Sequence, residues 1–175
     1  MTASCVKWKR EGFYTLAEAR TIHHWLAAGL GSGWLPKAPG TWGSLASLLP
    51  AWLIIEQLGV LALLLGSLLL LIVGCWNCYV VLPTLKDKDP GWIVIDEWAG
   101  QWLCLGLILL VLDYSVMLAV ALSFIGFRGF DILKPWPISR IETMGPPWWS
   151  IMADDIVAGL IGATVVIGCT LMLGL

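Results

Sequence analysis

From Val60 to Leu82 the chain carries no charged side chain. A run of that length and composition is what a helix needs to cross a bilayer's hydrocarbon, and it is hard to place on the surface of a soluble domain. Composition extends the constraint to the whole chain. Of its 175 residues 59 % are hydrophobic and 13 % charged, with a mean hydropathy of +0.86. A soluble domain carries about 25 % charged residues. Soluble enzymes, disulfide scaffolds and disordered tails are excluded together.

Other apolar runs flank the first, divided by turn and charge signals. Gly40–Ile55 closes at Glu56-Gln57 and Gly59. Ile93–Leu112 carries Asp96-Glu97 near its start and ends at Asp113, Ser115–Phe130 carries Arg128, and Ile156–Leu175 follows Asp154-Asp155. Thr21–Pro36 is uncharged, short and glycine-rich, with His23 and His24 near its start, and reads as an interfacial helix. The expected fold is therefore all-α: a polytopic membrane helix bundle of about five transmembrane helices plus an amino-terminal interfacial helix. Residues 1–20 are expected to form a polar cytoplasmic segment, and 21–175 a single membrane domain.

Five spans put all ten Lys and Arg residues on one side, which the positive-inside rule makes cytoplasmic. Many of the twelve tryptophans fall near span ends, as an aromatic belt requires. The net charge of −2 and the lack of a basic stripe argue against nucleic acid as a partner. No feature names a protein partner. Cys75-x-x-Cys78 lacks the second pair that a zinc site needs and reads as two buried apolar residues.

On this map Asp96, Glu97, Asp131, Asp154 and Asp155 meet the same boundary from three helices. Converging carboxylates repel one another, and a hard divalent cation such as Mg²⁺ relieves that repulsion. For either acidic pair alone, capping of a helix start is a sufficient account. Two pairs, Asp96-Glu97-x-x-Gly100 and Asp154-Asp155-x-x-Ala158-Gly159, make it less adequate, because the small residues one turn on let two helices approach closely. Asp131 and Lys134 are spaced to face one site, and Lys134 and Arg128 suit the oxygens of a phosphate. Anchoring at the interface is the plainer role for both cations. Gly29-Leu30-Gly31-Ser32-Gly33 and Pro39-Gly40-Thr41-Trp42-Gly43-Ser44 offer an anion cradle before a helix start, with the Thr41 and Ser44 hydroxyls able to join. As a plain turn and cap they need no ligand. Asp87-Lys88-Asp89 reads as a solvated loop.

These motifs, in this order, resemble the phosphatidylglycerophosphatase A family of bacterial membrane lipid phosphatases. The resemblance runs from about Gly29 to Gly162. It rests on Gly31-Ser32-Gly33 through Ser44, Asp96-Glu97-x-x-Gly100, Phe130-Asp131-x-x-Lys134-Pro135-x-Pro137-Ile138, and Met152-Ala153-Asp154-Asp155-x-x-Ala158-Gly159. One loop, Gly145-Pro146-Pro147-Trp148-Trp149, departs from the family's glycine-rich pattern.

The resemblance implies Mg²⁺-dependent hydrolysis of the terminal phosphate of phosphatidylglycerophosphate, giving phosphatidylglycerol and phosphate, and the charge map expects this at the cytoplasmic face of the bacterial inner membrane. On the mechanism expected here, Asp96, Asp154 and Asp155, together with Glu97, hold the metal, and Asp131 is the candidate general base or, as the alternative, a nucleophile forming an aspartyl-phosphate. Lys134, Arg128, Thr41 and Ser44 would then contact the phosphate. A Mg²⁺-dependent phosphatidyltransferase and a cation transporter are the other classes open to intramembrane acids. The D-G-x-x-A-R stretch of the first is absent, and the second needs acids near the bilayer midplane.

Overall fold

The computed structural model describes residues 22–87 and 90–174. The expected aqueous segment 1–20 and residues 88 and 89 of the charged loop lie outside them. Every regular element among the described residues is helical. In chain order these are α1 (Ile22–Ala27), α2 (Pro39–Leu58), α3 (Val60–Val81), α4 (Ile95–Val111), α5 (Val116–Leu133), α6 (Ile138–Ile141) and α7 (Pro147–Leu173), with 3₁₀ turns at Ser32–Trp34 and Leu82–Thr84.

Local chemistry sets the ends. Pro39 opens α2 and Pro147 opens α7, at first-turn positions where the missing N–H costs nothing. Ser115 caps α5 by accepting from the Leu118 amide at 3.4 Å. Lys134 ends α5 in the left-handed region and is followed by Pro135, which cannot continue the helix.

Among the described residues three helices are long and apolar enough to cross a membrane: Val60–Thr84, Val116–Leu133 and Pro147–Leu173. The α4 helix, with 17 residues, is about 25 Å long and falls short of the roughly 30 Å of hydrocarbon. It is the central element, with α2, α3, α5 and α7 packed around it. Leu105 and Ile108 of α4 join Leu63 and Phe127 in the fully buried core. By contrast Leu61, Leu65, Leu68, Leu69 and Ile72 of α3 point outward.

Lipid tails are as apolar as leucine, so close packing and interhelical hydrogen bonds must hold such a bundle. Ser67 Oγ donates to Ala99 O at 2.8 Å, Trp102 Nε1 to Ser47 O at 2.9 Å, and Gln101 Nε2 to Ser123 Oγ at 3.0 Å. Bonds of this kind contribute about 0.6 kcal/mol each. All three fasten α4.

Two expectations change. The interfacial helix expected over Thr21–Pro36 is a six-residue α1 followed by a reversal, because Gly29, Leu30 and Gly31 all take positive φ. Ala27 and Ala28 are fully buried there, and Ala27 O accepts from the Val94 amide at 2.8 Å. The last helix starts at Pro147 rather than Ile156, since Pro146-Pro147 initiates it instead of forming a loop. Asp154 and Asp155 thus lie two turns inside α7, and capping no longer accounts for them.

Candidate active site

The α4 and α7 backbones touch. A methyl group on Gly100 would sit 2.5 Å from Asp155 O, and one on Gly159 would sit 2.5 Å from Gly100 O. No side chain larger than hydrogen fits at either position. This crossing carries Asp96 and Glu97, in the first turn of α4, against Asp155 of α7. One carboxylate oxygen from each of the three lies within 4.8 Å of the other two. Asp96 and Asp155 are 8 % and 3 % exposed.

Asp96 Oδ1 accepts from the Glu97 amide at 3.0 Å, but Glu97 Oε2 and Asp155 Oδ2 are buried without any hydrogen-bond partner. Orphaned buried carboxylate oxygens are costly, and a hard cation would satisfy them. The donor set is all oxygen and anionic, and it fits Mg²⁺.

Asp154, expected beside these three, faces elsewhere. Successive helical residues point about 100° apart, so with Asp155 turned to α4 its neighbour turns to the end of α5. There Asp154 Oδ2 accepts from Lys134 Nζ at 2.9 Å. Lys134 also donates to Glu142 Oε1 at 2.6 Å. Partial burial works against the lysine's charge, but hydrogen bonds and attraction from Glu142 and Asp154 outweigh it and hold the ammonium above its ordinary range. Lys134 is a fixed cation.

Arg128 reaches Asp131 at 2.5 Å and stands 4.0 Å from Glu97. Its side chain is 12 % exposed, so it ties α5 to α4 from inside. Gly40, at the start of α2, completes this corner, because a methyl group there would collide with Glu97 Oε1 and lie 3.2 Å from an Arg128 terminal nitrogen. The motif around Thr41 therefore reaches the acids through its glycine. Thr41 is half-buried, while Ser44 is buried and donates to Gly40 O at 2.8 Å.

A cavity of about 400 Å³ opens among these groups. It is lined by Asp96, Glu97, Asp131, Glu142, Asp154, Asp155 and Lys134, with Thr143, Gly145 and Ser150 among the rest. Thr41, Ser44 and Arg128 stand outside the lining. Six carboxylates against Lys134 and the neighbouring Arg128 leave a surplus of negative charge when all are ionised. Such a cavity takes cations readily and takes a phosphate only with cationic help.

Glu142 is the residue that sequence reasoning missed. It follows Lys134 across the Pro135-x-Pro137 break, so no helical spacing relates the two. An acid shortly after a lysine in a proline-interrupted loop was its only trace.

A helical bundle that buries carboxylates and fixed cations around an open cavity, on elements apolar enough to enter a bilayer, is suited to reactions of charged lipid headgroups. Relatives narrow this class. The family model for phosphatidylglycerophosphatase A matches residues 25–170. The chain is 37 % identical over 143 residues to the phosphatidylglycerophosphatase A of Haemophilus influenzae, covering 82 % of this chain and 85 % of that one. It is 38 % identical over 146 residues to that of Escherichia coli K12, covering 81 % and 80 %. A Bacteroides thetaiotaomicron protein provisionally named phosphatidylinositol-3-phosphatase is 34 % identical over 146 residues, covering 77 % and 85 %. No solved structure matches the chain. The protein belongs to the phosphatidylglycerophosphatase A family and is a phosphatase.

Proposed function

We propose that this enzyme hydrolyses the terminal phosphate of phosphatidylglycerophosphate in a Mg²⁺-dependent reaction at the cytoplasmic face of the bacterial inner membrane, serving phosphatidylglycerol biosynthesis. The observation that carries this reading is the convergence of Asp96, Glu97 and Asp155 within 4.8 Å, with two buried oxygens unpartnered, beside a lysine held charged. Names of the relatives supply the headgroup. The topology is five spans, with the short α4 crossing at the centre of α2, α3, α5 and α7 and the cavity end facing the cytoplasm. Lys37, Lys86, Lys134 and Arg140 flank helix ends on that side, in keeping with the positive-inside rule.

Asp96, Glu97 and Asp155 would hold the metal. Bound Mg²⁺ supplies Lewis-acid polarisation of the phosphoryl group and neutralises its charge. Lys134 binds a phosphate oxygen and stabilises charge as it develops on the ester oxygen. Asp131, aimed by Arg128, takes the proton of the attacking water as general base. The P–O ester bond breaks as the new P–O bond forms, the departing glycerol oxygen takes a proton from solvent to leave as the phosphatidylglycerol hydroxyl, and Asp131 returns its proton to solvent. Phosphate departs with the water's oxygen.

The test is phosphate release from phosphatidylglycerophosphate in mixed micelles, with Mg²⁺ or with chelator, in wild type and Asp155→Asn. The expected result is release that needs both the metal and Asp155. Equal release in chelator would overturn the metal requirement. Lack of release from folded wild-type protein would overturn the substrate.

A further inference from the structure

Lys134 is the one cation that lines the cavity among the described residues, yet two carboxylates already hold it. When all three groups are ionised, Glu142, Lys134 and Asp154 together carry a net negative charge. A phosphate monoester arrives with about −1.5 to −2. It gains little from a lysine in that state, and one carboxylate must yield before the lysine can serve it.

The two partners differ in how easily they can do so. Asp154 is 7 % exposed on its side chain and sits two turns inside α7. Glu142 is 39 % exposed, just beyond the four-residue α6. A carboxylate that exposed regains water when it swings out, whereas a buried one loses its partner without compensation. Glu142 lines the same cavity as Lys134, with Thr143 and Gly145, so a ligand that reaches Lys134 from the cavity meets the Glu142 carboxylate on it.

We propose that Glu142 is a place-holder for the substrate phosphate. It occupies Lys134 while the site is empty and is displaced by the incoming phosphoryl group. Its competition therefore sets how tightly the site holds phosphate, whether as a lipid headgroup or as the free product. This assignment rests on the phosphatase reading for its ligand. It gives Glu142 a role in affinity and product release, and none in bond breaking.

The experiment compares wild type, Glu142→Gln, Lys134→Met and the double variant, purified in detergent at one fixed Mg²⁺ concentration. Calorimetric titration with inorganic phosphate gives affinity without turnover, and KM for phosphatidylglycerophosphate gives the lipid arm. Glu142→Gln is expected to tighten phosphate and lower KM by about threefold or more, the scale of a half-exposed ion pair removed from competition. In the Lys134→Met background the same change has no effect. Phosphate binding that is unchanged or weaker in folded Glu142→Gln overturns the proposal and leaves Glu142 as a prop for Lys134. Should Glu142→Gln not fold, Glu142→Asp is too short to keep the 2.6 Å contact and should tighten phosphate in the same way. Unchanged or weaker binding in that variant overturns the proposal equally. Wild-type protein that binds phosphate in this pattern but releases none from the lipid would refute the phosphatase reading alone.

Discussion

The two acidic pairs look like repeats and behave differently. In each, the first acid accepts from the amide of the second, at 3.0 Å for Asp96 and 3.1 Å for Asp154. In each, a glycine further along presses on the other helix. There the likeness stops. Asp96 and Glu97 begin a 17-residue helix, and both belong to the three-acid group. Asp154 and Asp155 lie inside a 27-residue helix and divide their labour, Asp155 joining that group and Asp154 anchoring Lys134. A shared motif fixes where two residues begin, and the rotation of the helix decides what each one meets.

Separating Asp155 from Asp154 should give the largest effect. Asp155→Asn is expected to lower kcat by about 10³-fold, the scale of losing a preorganised electrostatic group, and to raise the Mg²⁺ concentration needed for half-maximal rate. Asp154→Asn is expected to cost about 10²-fold, as loss of a supporting contact does, with the Mg²⁺ requirement little changed and phosphate affinity altered. Mg²⁺ titrations of both variants decide the matter. If both shift the Mg²⁺ requirement alike, the division of labour is wrong and Asp154 also serves the metal.

A smaller effect tests the crossing that brings the pairs together. Gly159→Ala puts a methyl group 2.5 Å from Gly100 O, a backbone atom that cannot turn aside. Overpacking of this kind costs about 1–3 kcal/mol. The expected outcome is earlier unfolding on titration with SDS and a weaker response to Mg²⁺, as Asp155 moves away from Asp96 and Glu97. Unfolding and Mg²⁺ response equal to wild type would mean that the helices are not in backbone contact.

Much of this arrangement was legible in the sequence, for physical reasons that differ by residue. The uncharged run Val60–Leu82 has few alternatives to a helix, and it is one. The acids could be assigned to one end because Asp96-Glu97, Asp131 and Asp154-Asp155 each sit near the end of an apolar run, and helices joined by short links run back and forth. The glycines after each pair foretold the close approach of α4 and α7. What could not be read was rotation and reach. Whether Asp154 or Asp155 faces α4 depends on where α7 begins, and Pro146-Pro147 reads equally well as a loop or as a helix start. The Arg128 contact to Glu97 and the Glu142 contact to Lys134 join residues that no sequence periodicity relates. Around Thr41 the hydroxyls drew notice, whereas it is Gly40, by having no side chain, that lets α2 close on Glu97.

The smallest expected effect comes from a glycine in α7 that meets nothing. Gly168 lies further along the helix than Gly159, and no neighbouring atom lies within 4 Å of a methyl group placed there. Glycine in a helix interior is less favourable than alanine by about 0.5–1 kcal/mol, because it gives up more backbone freedom on folding. Gly168→Ala should therefore stabilise the protein slightly against SDS and leave its Mg²⁺ response as in wild type. Opposite signs at Gly159 and Gly168, from the same substitution in the same helix, would show that the cost at Gly159 comes from contact with α4. Destabilisation at both would place it instead in α7 itself, and the crossing would lose its claim to position the acids.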